Sequence, residues 1–525
     1  MPREKSARPG FILALISIPI FIGALDLTVV SAVLPHVILD LEIPLQTGLD
    51  DAAWIVTGYL LAYSVSMTFM GRLSDLHSRR RVYLIALGVF AFGSYLVAVA
   101  HTWPTQLVLR TGYLFTSGRL DVSYVTLYVL IAARMIQAFG AGTMVPVGMA
   151  LVADIYPVER RARSLGVIAA VDTAGWVVGH LYGGIVVRFL DWRMIFWLNL
   201  PVCFIAFLLI WYLLRGVPQI RSAGRMDWLG ALLITVSLTL LNLGLGSGSE
   251  GINVSVETQS RLSQFALPLV LAAVFFLALF LLRQKTARHP LIELSLFGRQ
   301  NYLTACLANF LVGFSLFVAI ANVPLFINSL VASSLEQGAW DSGWMLSALT
   351  IPLALASVPG GWLSEKRGYR IPAALGLALA IVGFMLMKEW RADTTYFVMA
   401  SHLSLGGIGI GLTMAPIAAA VVNASPPDQR GTSSALVIIF RLIGMTVGVS
   451  SITTYDLLRA DALSGQLLPI APTLDETIRV GMEVTERVIS ESFVIAGMVA
   501  ALALIPALLL KTQIQTSEVK NERER

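Results

Sequence analysis

Gly71-Arg72-Leu73-Ser74-Asp75-Leu76-His77-Ser78-Arg79-Arg80-Arg81 and Gly361-Trp362-Leu363-Ser364-Glu365-Lys366-Arg367-Gly368-Tyr369-Arg370 carry one pattern twice. Gly, Leu, Ser, an acid and a later Arg fall in register, and each copy follows a long apolar segment. A second echo pairs Met144, Pro146, Pro157, Arg160 and Ser164 with Met414, Pro416, Pro427, Arg430 and Ser434. Two related halves therefore make up the chain. The second echo is displaced from the first by about 20 residues, so the first half carries extra chain between its two motifs, and the segment 101–123 is where it fits.

Of the 525 residues, 56% are hydrophobic and 13% charged, against about 45–50% and about 25% in soluble domains. This is the composition of an integral membrane protein. A spanning helix takes about 20 apolar residues, and fourteen segments qualify: 11–39, 51–71, 82–100, 124–154, 163–187, 192–214, 227–246, 265–283, 301–330, 340–363, 371–390, 396–423, 432–456 and 488–510. An even number places both termini on one side. About two thirds of the 37 Lys and Arg residues lie in the loops and tails of that side, which the positive-inside rule makes cytoplasmic. The expected location is the cell's inner (cytoplasmic) membrane.

The net charge of +5 thus records topology and gives no reason to expect a nucleic-acid partner. Cys203 and Cys306 fall inside apolar segments, so neither a disulfide framework nor a thiolate metal site is expected. The first apolar run continues past Asp26 to Pro35 without a small-residue cleavage site and reads as an uncleaved helix. No HExxH, nucleophile elbow, P-loop or Cys/His cluster points to an enzyme. The proton gradient is the only driving agent expected, with no cofactor and no metal.

Parallel halves of six spans are a common architecture of secondary transporters. The expected fold is all-α, with a six-helix bundle over 1–215, two linker helices within 216–290 and a second six-helix bundle over 291–525. Inside this frame Asp26, in Gly23-Ala24-Leu25-Asp26-Leu27-Thr28-Val29-Val30, is costly. A charged side chain at the centre of a spanning helix costs about 2.5–3.5 kcal/mol on insertion scales, so such residues face a cavity, pair or titrate. Asp172, Arg134 and Arg441 are the other candidates for buried charge, giving two acids and two bases that can neutralise one another.

The chain resembles the major facilitator superfamily, in its fourteen-span drug:proton antiporter branch. The likeness rests on Leu25-Asp26-x-Thr28-Val29-Val30-x-x-x-Leu34-Pro35, the loop Gly71–Arg81 and Arg134-Met135-Ile136-Gln137. Gly175-x-x-x-Gly179-x-x-x-Gly183-Gly184 and Asp191-Trp192-Arg193-x-x-Phe196-x-x-Asn199-x-Pro201 complete it. Small residues at four-residue spacing alone serve ordinary helix packing; five motifs in order are specific. Ser78, Ala138 and His180 depart from the pattern, standing where Gly, Gly and Pro are usual, and His180 puts a standard kink in span five in doubt.

The resemblance implies that Asp26 is the proton acceptor. Its counter-charge is expected to be Arg441 or Arg134, with Arg441 favoured because a bond across the halves would make protonation a conformational signal. Arg134 bonding backbone carbonyls, and Asp172 as proton site, structural pair or substrate contact, stay open, as does a coupling role for His180. Asp75 resembles a gate acid docking on the start of span thirteen, Gly431-Thr432-Ser433-Ser434, where free N–H groups and the positive helix end suit a carboxylate. Gly71, Arg79, Arg80, Glu365 and Arg370 share that gate motif. Gly175, Gly179, His180, Gly183 and Gly184 form the antiporter motif.

Spans nine to thirteen hold no Asp or Glu away from their ends. Asn309, Phe314, Phe317, Asn322 and Phe326 are the expected cavity side chains, a lining that suits neutral or amphiphilic cargo, unless they face other helices or lipid. Thr473-Leu474-Asp475-Glu476 is a capping box that starts the last span near residue 474. At 1.5 Å per residue it then projects ~20 Å past the hydrocarbon, while span thirteen runs on to about Leu463, an extension over about 457–487. Such extensions make the chain most similar to mycobacterial-type triacylglycerol and multidrug exporters. A projecting hairpin can shield a lipid tail, dock a periplasmic lipid-accepting protein or act as a stiff connector. In the inserted loop, Gln106–Phe115 and Arg119–Val125 flank Thr116-Ser117-Gly118 and predict a β-hairpin.

The leading expectation is a monomeric, proton-coupled exporter of lipids or lipophilic compounds working by alternating access. A multidrug:proton antiporter for hydrophobic cations, and more remotely a non-transporting membrane sensor, are the other readings.

Overall fold

The computed structural model describes residues 9–43, 45–115, 120–216, 221–246, 265–468 and 473–511. Fifteen α-helices follow in order: α1 Pro9–Asp40, α2 Leu45–Leu76, α3 Arg79–Ala98, α4 Trp103–Gly112, α5 Val122–Ile155, α6 Val158–Phe189, α7 Met194–Leu213, α8 Trp228–Gly246, α9 Ala266–Thr286, α10 Gln300–Phe326, α11 Leu335–Arg367, α12 Arg370–Met387, α13 Tyr396–Ala424, α14 Arg430–Leu467 and α15 Leu474–Leu508. All but α4 belong to the 14 helices long and apolar enough to cross a membrane, as the composition requires.

Helix starts are written locally. Asp121 caps α5 by accepting from the Ser123 N–H at 2.8 Å, and Ser334 caps α11 through Gln337. The Thr473 capping box is formed in both directions, with Glu476 accepting from the Thr473 N–H at 2.9 Å. Tertiary packing does the rest. In the first half α1 packs on α6, and α5 on α2 and α3; in the second α10 packs on α14, and α13 on α11 and α12. These pairings match one for one, so the sequence repeat is a structural repeat.

The halves meet where α6 crosses α11 and α2 crosses α14. Both crossings need a bare glycine. A Cβ on Gly71 would stand 2.7 Å from the Gly431 carbonyl oxygen, and one on Gly361 2.5 Å from that of Ala162. Helices α8 and α9 pair with each other, and α8 rests on both α2 and α14, across the seam between halves. The expected architecture of six, two and six is the one observed.

One expectation is overturned. The inserted segment forms no β-hairpin: residues 103–112 are helical, and Val122–Val125 already belong to α5. Pro104 in the first helical turn suits a helix start, and Thr105, Leu109 and Gly112 then recur at helical spacing. Residues 116–118, the expected turn, and residue 119 lie outside the described residues.

The expected helical continuation of the last two spans is seen. α14 continues to Leu467 and α15 begins at Leu474. Leu463, Val480, Val484 and Val488 form a small apolar core of their own, with Ala460 and Leu468 against it. Hence the projection is a packed pair of helices.

Candidate functional site

Three layers of buried polar groups lie along the bundle. The first is built on α1, where Asp26 is fully buried. Close approach of α6 positions that helix: a Cβ on Gly175 would meet the Phe21 carbonyl at 2.6 Å, and one on Gly179 the Leu25 carbonyl at 2.5 Å. Thr28 ties the pair by donating to the Trp176 carbonyl at 2.9 Å. Gly175 and Gly179 of the antiporter motif thus serve α1–α6 packing, while Gly184 is exposed. Gly183 is buried. His180 lies in α6, but its side chain lies outside what the structure describes.

Around Asp26 every donor points inward. Arg134 pairs with one carboxylate oxygen; Gln137 donates to the other at 3.0 Å, and Asn199 at 3.3 Å. The second Arg134 nitrogen donates to the Asp26 carbonyl at 3.1 Å. Arg134 also donates to Gln137 Oε1 at 2.6 Å, which leaves the Gln137 amide nitrogen for Asp26 and for Ser94 at 2.6 Å. The guanidinium stacks over the Tyr59 ring at 4.0 Å. A carboxylate accepts only, whereas a protonated acid must also donate. The pocket is therefore shaped for the ionised form.

Arg441 is not the partner of Asp26 in this conformation. It lies 3.6 Å from Asp172, so the pair that bridges the halves joins α6 to α14, while the Asp26 pair is internal to the first half. Gly313 lets α10 come so close to the Arg441 backbone that a Cβ there would stand 2.2 Å from its carbonyl oxygen. Arg441 also contacts Met414 Sδ at 3.1 Å. Among the described residues, Asp172 Oδ1 has no hydrogen-bond partner. A cavity of about 30 Å³ adjoins the pair, lined by Met149, Leu165, Ala169, Asn309, Met414 and Val437 among others. That is room for one water molecule.

Asn309 donates to the Val437 carbonyl at 2.6 Å and, of the five expected cavity residues, is the one lining this space. Phe314 and Phe317 are half-buried. Asn322 is buried and donates to Val318 in its own helix at 3.1 Å. Phe326 corrects the expectation: it is packed in the core, its ring 5.4 Å from that of Trp390.

The third layer lies at the end of the bundle where α1 starts and α15 ends. Asp75 accepts from the Gly431 and Thr432 N–H groups, each at 2.8 Å, and from Thr432 Oγ1 at 2.9 Å. A carboxylate is thus seated on the N-terminus of α14, where free N–H groups and the helix dipole favour it. Arg79 bonds Asp75 at 2.8 Å and the Pro427 carbonyl at 2.7 Å, and also pairs with Asp154. Asp154 is held from the other half by Arg430 at 3.1 Å.

The symmetry-related lock uses different chemistry. Glu365 accepts from the Arg163 N–H at 3.0 Å. Arg161 donates to Asn423 Oδ1 at 3.0 Å, and Asn423 donates to the Tyr369 hydroxyl at 2.7 Å. Two members of the motif stand outside these locks. Arg80 bonds the Trp211 carbonyl at the end of α7, and Arg370 is exposed at the start of α12.

Sequence reasoning missed several participants. Asp154 and Asn423 close helices one repeat apart, but only their partners across the seam mark them. Ser94 and Tyr59 belong to no motif and are defined by what faces them. Gln137 and Asn199 stand in quoted motifs, yet nothing in the spacing says that both aim at Asp26.

Comparison with known proteins gives a consistent result. The family model described as Major Facilitator Superfamily matches residues 16–449 and 305–525. The triacylglyceride transporter of Mycolicibacterium hassiacum is 30% identical over 482 residues, covering 90% of this chain and 84% of that protein. The triacylglyceride transporter of Mycobacterium tuberculosis strain H37Rv is 29% identical over 513 residues, covering 94% and 93%. Among solved structures, the proton:xylose symporter XylE bound to 6-bromo-6-deoxy-D-glucose aligns with a TM-score of 0.60 at 13% identity, covering 96% and 95%. The human organic anion transporter MFSD10 aligns at 0.58 and 15% identity, covering 94% and 100%. At such identities the structural likeness speaks for the fold alone.

Proposed function

The chain belongs to the major facilitator superfamily and is a membrane transporter rather than an enzyme; from that premise we propose that it exports lipids, triacylglycerol-like in class, in exchange for protons. Likeness to the mycobacterial triacylglyceride transporters over nine-tenths of this chain supports the cargo. So does the second half's lining of the central cavity, Asn309, Met414, Ala418, Val437 and Ile438, which brings no acid of its own, the one acid there being Asp172 of the first half, paired with Arg441.

The observation that carries proton coupling is the Asp26 pocket, which offers three side-chain donors to one carboxylate. Protonation replaces an acceptor by a donor and leaves Arg134 a buried charge without its counter-ion. Breaking a buried pair in this way costs about 3–5 kcal/mol, enough to shift a two-state equilibrium strongly. The bundles 1–215 and 291–525 move against each other, and the described conformation is the one closed toward the cytoplasm, where both termini lie. Asp26 is ionised in it and takes a proton from the outer side. The Asp172–Arg441 pair joins the bundles and reports the change across the seam.

The protein works as a monomer in the cytoplasmic membrane. The α14–α15 projection lies on the outer side, where it shields the lipid or meets a periplasmic acceptor.

The test is transport in proteoliposomes under an imposed pH difference, with labelled triacylglycerol and a hydrophobic cationic dye in parallel vesicles. Wild type is expected to move the lipid and Asp26→Asn to lose pH-driven movement. Lipid flux by Asp26→Asn at the wild-type rate and pH dependence removes Asp26 from coupling, and dye flux without lipid flux removes the lipid cargo.

A further inference from the structure

We propose that α4 and the turn after it form a membrane-surface element embedded in the lipid leaflet at the end of the bundle opposite the Asp75 gate. The second half joins α12 to α13 by Lys388–Thr395 with no helix at all, so α4 is not required by the repeated fold.

Its side chains fall into three stripes. Thr105, Leu109 and Gly112, spaced i, i+4 and i+7, face the protein: Thr105 is buried and donates to the Ala100 carbonyl at 2.7 Å, while Gly112 abuts Leu120. Gln106, Arg110 and Tyr113 repeat that spacing one residue on and are exposed. The remaining face carries Trp103, Leu107, Val108, Leu114 and Phe115, with Leu107, Leu114 and Phe115 at 55%, 79% and 91% exposure. Leu114 and Phe115 continue the helical turn, their N–H groups donating to Thr111 and Gly112 at 3.1 and 2.9 Å. Thr111, between the apolar residues, donates to the Leu107 and Val108 carbonyls, so no polar group on that face lacks a partner.

Position identifies what covers the face. α4 lies between the ends of two spanning helices, Ala98 of α3 and Val122 of α5, and packs on α5. The apolar surface continues through Val122 and Tyr128, both exposed on α5, into the lipid-facing side of the bundle. Large apolar side chains facing water forgo about 1.5–3 kcal/mol each. A helix with one apolar and one polar face, Trp at its edge and Arg at the headgroup level is the pattern of an in-plane interfacial helix. Arg110 is placed for lipid phosphate.

Full-length protein carrying Leu107→Cys, Phe115→Cys or Gln106→Cys provides the test. The native Cys203 and Cys306 are buried, and unsubstituted protein sets the labelling background. Each variant is labelled with an environment-sensitive fluorophore and placed in vesicles of phosphatidylethanolamine and phosphatidylglycerol. Positions 107 and 115 are expected to be quenched by lipids spin-labelled near the headgroup, and several-fold less by aqueous iodide than position 106. Equal iodide quenching at all three positions overturns the proposal, because the face is then in water. Protection of 107 and 115 from both quenchers also overturns it, since protein rather than lipid then covers them.

Discussion

The two locks at the closed end occupy equivalent places in the repeat and hold by different means. At the α2–α14 crossing, Asp75, Arg79, Asp154 and Arg430 form an ionic chain that begins in the first half and ends in the second. At the α11–α6 crossing, Glu365, Asn423, Tyr369 and Arg161 make hydrogen bonds in which only two members are charged, and those two do not meet. Each crossing is made close by a glycine of the repeated motif, Gly71 against Gly431 and Gly361 against Ala162. The crossing is kept in both halves while the charge has diverged, so the two locks are expected to differ in how they respond to loss of a charge.

The largest effect is expected from Asp75→Asn. It keeps the shape but removes the charge on which two backbone N–H groups, Thr432 and Arg79 converge. Loss of one member of a buried pair costs about 3–5 kcal/mol, set against the closed state. Spin labels at His77→Cys and Asp428→Cys, across this crossing, should report a population with the ends apart. A distance distribution unchanged from the parent would show that the ionic lock is not what holds the end shut.

Asp172→Asn should come next. Its pair with Arg441 is longer, at 3.6 Å, and one carboxylate oxygen already lacks a partner. A cost of about 1–3 kcal/mol is expected, read by the same labels as a smaller open population. An effect equal to that of Asp75→Asn would mean that the central bridge, and not the gate, is the main connection between halves.

Glu365→Gln should matter least among the losses. The amide oxygen can still accept from the Arg163 N–H, so about 1 kcal/mol or less is at stake. Labels at Glu159→Cys and Arg367→Cys, across the α6–α11 crossing, should keep the parent distance. A broad opening there would place the two locks on equal terms.

The same comparison separates what could be read in the sequence from what could not. Span number, the capped start of α15 and the seat of Asp75 on Gly431 and Thr432 were legible, because each depends on local pattern or on a helix end. Partner choice was not. Aligning Gly71–Arg81 with Gly361–Arg370 sets Arg80 opposite Arg370, yet the lock residues are Arg79 and Tyr369, and Arg80 turns away to α7. Likewise Asp26 and Arg441 have the right charges for each other, but in the fold Arg134 takes Asp26 and Arg441 meets Asp172. The helix α4 reads as strands in the sequence because its apolar residues are dense on a face that no other described part of the protein covers, which hides the helical period.

Asn423→Asp asks whether the weaker lock can be made to resemble the stronger. The new carboxylate would face Arg161, now 3.0 Å from the Asn423 oxygen, and the Tyr369 hydroxyl, which accepts from Asn423 at 2.7 Å, would turn to donate. Both contacts then suit a charged acceptor. Because Asn423 is only half-buried, the gain is expected to be about 0.5 kcal/mol, as for a partly solvated pair. In an Asp75→Asn background this should return part of the open population to the closed state, and raising the salt concentration should weaken the rescue. Rescue that ignores salt would mean the aspartate acts through shape rather than charge, and the contrast between the two locks would then lie in geometry after all.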